Sequence, residues 1–294
     1  MSNKLSSQID RVIQRRPMYK DALSVYKDLM SFLKEIEPEI KYEVNNDAIH
    51  EIKVKEGFPL FSREDLPLDL IAAASLFPRL LEHLSSKKRK DKEAIEKVLK
   101  KIRSNSKWVD DAITSFLSRD ESAILTMAEE MNLEPMVLKF LTHMALKPSL
   151  NILKESVTEK ITKNGWDYGY CPLCGSSPDI AYLDNNGKRY LHCELCCYEW
   201  NYPRLKCPFC ENNNPKELGY FVSEEEDGFR IDFCKKCNSY IKTADMRVIE
   251  SPGSLELENL TTLHLDMLAH EQGFKGLRLK IFKLRVSLLT HFRN

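Results

Sequence analysis

All nine cysteines of this 294-residue chain lie between Cys171 and Cys237. Eight of them form four Cys-x-x-Cys pairs: Cys171/Cys174, Cys193/Cys196, Cys207/Cys210 and Cys234/Cys237. A Cys-x-x-Cys turn puts two sulfurs on one side of a tight loop, and a tetrahedral thiolate site needs four. Four turns therefore supply two sites, and the pattern predicts two metal ions per chain, iron or zinc, since both accept four thiolates. Consecutive pairing leaves 18 residues between Cys174 and Cys193 and 23 between Cys210 and Cys234. The first spacing falls in the zinc-ribbon range of about 15–20 and the second is slightly long. The alternative is a cross-brace, with Cys171, Cys174, Cys207 and Cys210 in one site and Cys193, Cys196, Cys234 and Cys237 in the other. Consecutive pairing is preferred, because each hairpin then joins its own two knuckles.

In such knuckles the residue after the second cysteine often needs a positive φ. Gly175 and Asn238 suit that demand, whereas Cys197 and Glu211 suit it less well. Cys197 follows Cys196 directly, which argues against its reaching the same metal. It reads as a spare thiol, with a redox or metal-exchange role as the sharper alternative. His192 precedes Cys193 and is a minor candidate to replace a sulfur. Tyr170, Trp200, Tyr202, Phe233 and Tyr240 read as fillers of thin cores between hairpins rather than as platforms for bases.

The length suggests two domains. With 43% hydrophobic and 30% charged residues, the chain can bury a sizeable core. Its 44 basic and 44 acidic side chains cancel, so no global field draws nucleic acid or membrane. Residues 166–250 carry 14 acidic and 10 basic side chains, a balance of −4, and nucleic-acid ribbons carry the opposite sign. No apolar run approaches the 18 residues of a spanning helix, and the first residues have no stretch resembling a secretory signal. These features, and thiols suited to a reducing compartment, point to the cytoplasm. The chain has no Gly-rich phosphate loop and no convincing nucleophile–base set, which points away from an enzyme.

Residues 1–165 read as a helical domain broken by prolines. Leu23, Tyr26, Met30 and Leu33 share a face of a helix that Pro38 closes. Gly57-Phe58-Pro59-Leu60 is a loop. Further helices are expected over 69–84, 109–117, 122–131 and 135–146, with Pro148 ending the last. Lys87-Lys88-Arg89-Lys90 reads as a solvated patch. Short connections favour an antiparallel bundle. From Trp166 the texture turns to strands at 180–183, 189–191, 218–222 and 229–231, with a hairpin turn at Asp184-Asn185-Asn186-Gly187 and an acidic turn at 224–228. Residues 166–205 and 206–250 thus read as one small metal module used twice. A helix over 255–272, capped by Gly273, opens the last segment, 251–294. The expected class is α+β: an all-α bundle, two small rubredoxin-like, zinc-ribbon-like β modules, and a C-terminal helix.

These residues resemble the FdhE family, the accessory proteins of formate dehydrogenase. The resemblance rests on Trp166, Cys171-Pro172-Leu173-Cys174-Gly175-Ser176, Arg189-Tyr190-Leu191-His192-Cys193-Glu194-Leu195-Cys196, Trp200, Arg204 and Cys207-x-x-Cys210. It continues through Cys234-x-x-Cys237, Tyr240-Ile241-Lys242 and Leu260-Thr261-Thr262-Leu263-His264-Leu265-Asp266. The helical half matches more loosely, at Arg16-Pro17, Gly57-x-Pro59-Leu60 and Ala145-Leu146-x-Pro148. After Gly273-Phe274 the chain departs from the family, with a tail from Lys275 holding six basic and no acidic residues. The resemblance implies iron or zinc on the four Cys-x-x-Cys pairs of rubredoxin-like modules. It also implies a cytoplasmic maturation factor that binds the catalytic subunit of formate dehydrogenase. A rubredoxin-type electron carrier serving a client metalloenzyme is the alternative. The oligomeric state is left open, a homodimer included.

Overall fold

The computed structural model describes residues 2–36, 48–86, 92–105, 107–162, 165–224, 226–250 and 252–276. The Lys87–Lys90 patch, Glu225 in the acidic turn, and the tail beyond Gly276 lie outside them. Contacts divide the chain into two compact units.

One unit contains the described residues between 21 and 36 and between 63 and 155, and its elements are helices. It holds most of α2 (Lys20–Ile36), then α4 (Leu70–Ser85), α5 (Lys92–Ser104), α6 (Lys107–Ser118), α7 (Glu121–Glu130) and most of α8 (Pro135–Thr162). The buried face of α2 is Leu23, Tyr26, Leu29, Leu33 and Ile36, and Met30 only flanks it. Asp69 and Asp120 cap α4 and α7, each accepting a backbone N–H at 2.9 Å three residues on. Pro148 does not end α8, which runs 14 residues further, to Thr162. Every residue from 144 to 150 is buried. Burying an aliphatic side chain is worth about 2 kcal/mol, so a few of them offset the roughly 3 kcal/mol an interior proline costs.

The other unit comprises residues 1–20, 46–62 and 156–282 and contains every cysteine. It begins with α1 (Ser2–Arg15) and a 3-10 turn at Pro17–Tyr19, and includes α3 (Ala48–Lys55). Its centre is one six-stranded sheet of order β3-β2-β1-β6-β5-β4. The strands are β1 (Pro178–Leu183), β2 (Arg189–Cys193), β3 (Glu199–Asn201), β4 (Leu218–Val222), β5 (Phe229–Cys234) and β6 (Ser239–Asp245). Each set of three is an antiparallel meander, and the two meet where β1 pairs parallel with β6. Ile180, Phe229, Ile231, Tyr240 and Ala244 of the sheet share a core with Leu255, Leu265 and Ala269.

The expected helix over 255–272 is two helices, α9 (Leu255–Leu260) and α10 (Leu263–Glu271). The break at Thr261-Thr262 has a local and a tertiary cause. Both threonine hydroxyls donate to carbonyls four residues back, at 2.8 Å. The buried ammonium of Lys242 takes the carbonyls of Asn259 and Thr262 at 2.9 and 3.2 Å and ion-pairs with Asp266 at 2.7 Å. Gly273 follows α10 with φ +85°, as its cap requires. Among the described residues no helix is long and apolar enough to cross a membrane.

Candidate metal centres

The Cys-x-x-Cys turns that begin at Cys171, Cys193 and Cys207 are closed by their own backbone. The N–H of Gly175 donates to Cys171 O at 2.9 Å, that of Cys197 to Cys193 O at 3.2 Å, and that of Glu211 to Cys207 O at 3.0 Å. The first cysteine of each of these knuckles then donates its own N–H to the carbonyl five residues on, at Ser176, Tyr198 and Asn212. To fold back this way, the residue after each second cysteine adopts a left-handed backbone. Gly175, Cys197, Glu211 and Asn238 have φ of 66°, 55°, 57° and 54°. The demand suited to glycine and asparagine is thus met at all four knuckles, including the two where a side chain makes it costly.

The sulfurs gather by consecutive pairs. Cys171, Cys174, Cys193 and Cys196 form one group, and Cys207, Cys210, Cys234 and Cys237 the other. In the first, Sγ atoms are 3.6 Å (Cys171–Cys196), 3.5 Å (Cys174–Cys193) and 3.7 Å (Cys174–Cys196) apart. In the second, they are 3.7 Å (Cys207–Cys237) and 3.8 Å (Cys210–Cys234) apart. A tetrahedron with metal–sulfur bonds of about 2.3 Å has sulfur–sulfur edges of about 3.8 Å, so both groups have the size of a four-thiolate metal cage.

The electrostatics agree. Burial pushes the thiols of Cys171, Cys193 and Cys196 well up, while sulfur hydrogen bonds overcome burial at Cys174 and pull it well down. In the second group burial raises Cys207 and Cys210. At Cys234 it is outweighed by the N–H groups of Cys237 and Lys236 and the amide of Asn212, bringing that thiol to about 7. Four sulfurs this close cannot all carry charge unless a cation sits among them.

His192 and Cys197 belong to neither group. His192 Nδ1 lies 2.7 Å from Asp179 Oδ1. Burial lowers the imidazole's affinity for protons, but the Asp179 carboxylate more than reverses this and holds it well above the ordinary value. Asp179 reaches this position because β1 shifts register between Pro178 and Ile180, and a bulge re-aims its side chain. Its other oxygen accepts from Asn259 Nδ2 at 2.9 Å.

The loop Gly57-Phe58-Pro59-Leu60 braces the first knuckle. Leu60 and Phe61 donate to the carbonyls of Pro172 and Leu173 at 2.8 and 3.1 Å, and the Tyr170 hydroxyl donates to Gly57 O. Gly57 has φ +82°, and a Cβ there would fall 2.5 Å from the Tyr168 hydroxyl. Of the expected core aromatics, Trp200, Tyr202 and Tyr240 are buried and Tyr170 and Phe233 half-buried. The contacts these residues make around the second group were not legible in the sequence. Tyr202 donates its hydroxyl to Cys207 O at 3.0 Å, Asn212 Nδ2 contacts Cys234 Sγ at 3.6 Å, and the buried Arg189 guanidinium lies over the Tyr202 ring.

Residues 170–204 match the family model described as FdhE, central domain. An FdhE homologue of Aquifex aeolicus is 39% identical over 142 residues, 47% of this chain and 49% of that protein. One of Stutzerimonas stutzeri is 34% identical over 138 residues, 45% of this chain and 41% of that protein. These matches span about half the length of the curated relatives or less. The crystal structure of the FdhE protein from Pseudomonas aeruginosa shares the fold across 96% of both chains, with a TM-score of 0.69 at 22% identity.

Proposed function

We propose that this chain, whose residues 170–204 match the FdhE central-domain model and whose relatives are FdhE homologues, is a non-enzymatic, metal-binding accessory protein of formate dehydrogenase. In this reading Cys171, Cys174, Cys193 and Cys196 hold one metal ion and Cys207, Cys210, Cys234 and Cys237 a second, iron or zinc. Residues 166–205 and 206–250 are the two metal modules. The protein acts in the cytoplasm on the catalytic subunit of formate dehydrogenase, before that subunit is complete. The observation that carries the metal half is the sulfur–sulfur spacing of 3.5 to 3.8 Å in two separate groups. The client half rests on the family.

When bound, the metal supplies a rigid cross-link between distant chain segments. The chain's own residues do the rest: the left-handed knuckles aim the sulfurs, and the shared sheet keeps the two modules in one surface. A surface held in this way loses little entropy on docking. The test is capture of the formate dehydrogenase catalytic subunit by the wild type and by a Cys207→Ser/Cys210→Ser variant of verified metal content. The wild type is expected to capture it and the variant to lose most of that capture. Failure of the wild type with both apo and mature client removes the proposed partner.

A second reading, electron transfer to a client metallocentre, draws on the partial exposure of Cys210 and Cys237. Reversible reduction of the iron-loaded chain would favour it, and a redox-silent native metal would exclude it.

A further inference from the structure

The two sulfur groups differ in how they are enclosed. In the first, the exposures of Cys171, Cys174, Cys193 and Cys196 are 0, 0, 0 and 1%. Leu173, Leu195 and Tyr198 are buried within its knuckles, and the loop from Gly57 is hydrogen-bonded across one of them. In the second, Cys210 and Cys237 are partly exposed. A cavity of about 430 Å³ flanks its other two ligands, with Cys207, Cys234, Arg189, Arg204, Lys206 and Arg230 in the lining.

The lining is of mixed charge: four basic side chains and Asp232, with Asp167 and Glu211 lying 3.9 and 3.7 Å from Lys206. Asp232 is occupied by Arg230 and by the Thr243 hydroxyl at 2.6 Å. The Arg189 guanidinium donates to the carbonyls of Pro203 and Lys206. The cavity gives polar solutes an approach to Cys207 and Cys234.

We propose that the two centres are unequal: the second exchanges its metal with small polar chelates that enter through the flanking cavity, and the first is sealed. This rests on reading the eight cysteines as metal ligands. In the exchange a chelator oxygen or nitrogen replaces one thiolate at a time, and each departing thiolate takes a proton from water. At the first centre no donor reaches the metal until the unit opens locally.

The test uses the full chain loaded with two zinc ions and challenged with excess EDTA at fixed ionic strength. One zinc is expected to leave about ten-fold or more faster than the other, since release of the ion at the first centre waits on local opening. Alkylation with iodoacetamide after the fast phase, read by mass spectrometry on the wild type, should label Cys207, Cys210, Cys234 and Cys237 and spare Cys171, Cys174, Cys193 and Cys196. Two ions leaving at one rate, or early labelling of the first group, overturns the inequality. A chain that takes up fewer than two zinc ions overturns instead the reading of eight ligands.

Discussion

Arg16 Nη1 lies 2.8 Å from Glu258 Oε2, a bond between residues 242 positions apart. Glu258 is fully buried, and its carboxylate also receives Arg15, the Gly253 N–H at 2.7 Å, and no solvent. Arg16 in turn reaches Glu226 and the Thr261 hydroxyl, the latter at 3.0 Å. This cluster ties α1 and its following turn to α9 and the acidic turn after β4. Removing Arg16 leaves the buried Glu258 carboxylate with Arg15 and the Gly253 N–H alone, which is costlier than never having placed the pair.

Arg16→Ala should therefore destabilise the cysteine-bearing unit by about 3 kcal/mol, the scale for breaking a buried pair. Arg16→Lys should recover part of it, since an ammonium restores charge but cannot bridge two carboxylates as a guanidinium does. Urea unfolding followed by Trp166 and Trp200 emission, in a Trp108→Phe background, measures this. A loss under about 0.5 kcal/mol, the level of an ordinary surface change, contradicts the account.

Glu226 supplies the pH dependence. Burial raises its carboxyl, but hydrogen bonds from His264 and Arg16 more than offset that and hold it below the usual value. A depressed carboxylate stabilises the fold above its unfolded value, and that contribution disappears as pH falls through the folded value. Glu226→Gln should lower stability by about 1–2 kcal/mol at pH 7 and leave the wild-type advantage shrinking below about pH 4.5. The difference between the two melting curves is the readout, because thiolate protonation releases metal in the same direction. A difference independent of pH from 3 to 7 contradicts it.

Anaerobically purified protein should contain about two metals per chain, because eight thiols make two four-ligand cages. Replacing both Cys171 and Cys174 with serine should abolish one metal and unfold the first meander, since sheets this small have little core of their own. Elemental analysis with backbone amide exchange over residues 178–201 tests both statements. Near-native metal content in that variant removes these residues as ligands.

The left-handed positions make separable predictions. Glu211→Gly should stabilise the second module by up to about 1 kcal/mol, because a Cβ is costly at φ +57°. Cys197→Gly, at φ +55°, should keep both metals, since Cys197 lies in neither sulfur group. Metal content and thermal melting of each variant decide. Loss of a metal on Cys197→Gly would show that the ninth cysteine is a ligand.

The eight candidate ligands, the two-site count and the hairpin turn at 184–187 were legible in the sequence because they depend on local spacing. Two sulfurs three residues apart share a loop whatever surrounds them, and a glycine-containing turn reverses the chain on its own. Helices were legible where apolar residues recur, though not their ends. Pro148 reads as a stop because its own backbone cost is visible in sequence, whereas the burial of residues 144–150 that outweighs it is not. The continuous helix expected after Leu255 failed for the same kind of reason, since Lys242 draws off its carbonyls from a distant strand. Only the tertiary structure joined β1 to β6 and so merged two modules into one sheet. It also set Arg16 and the Gly57 loop beside the cysteine-bearing strands and placed arginines around the second sulfur group. Those arrangements are pairings between residues far apart in the chain, decided by which buried charges and apolar faces find partners in space, and spacing along a sequence does not encode them.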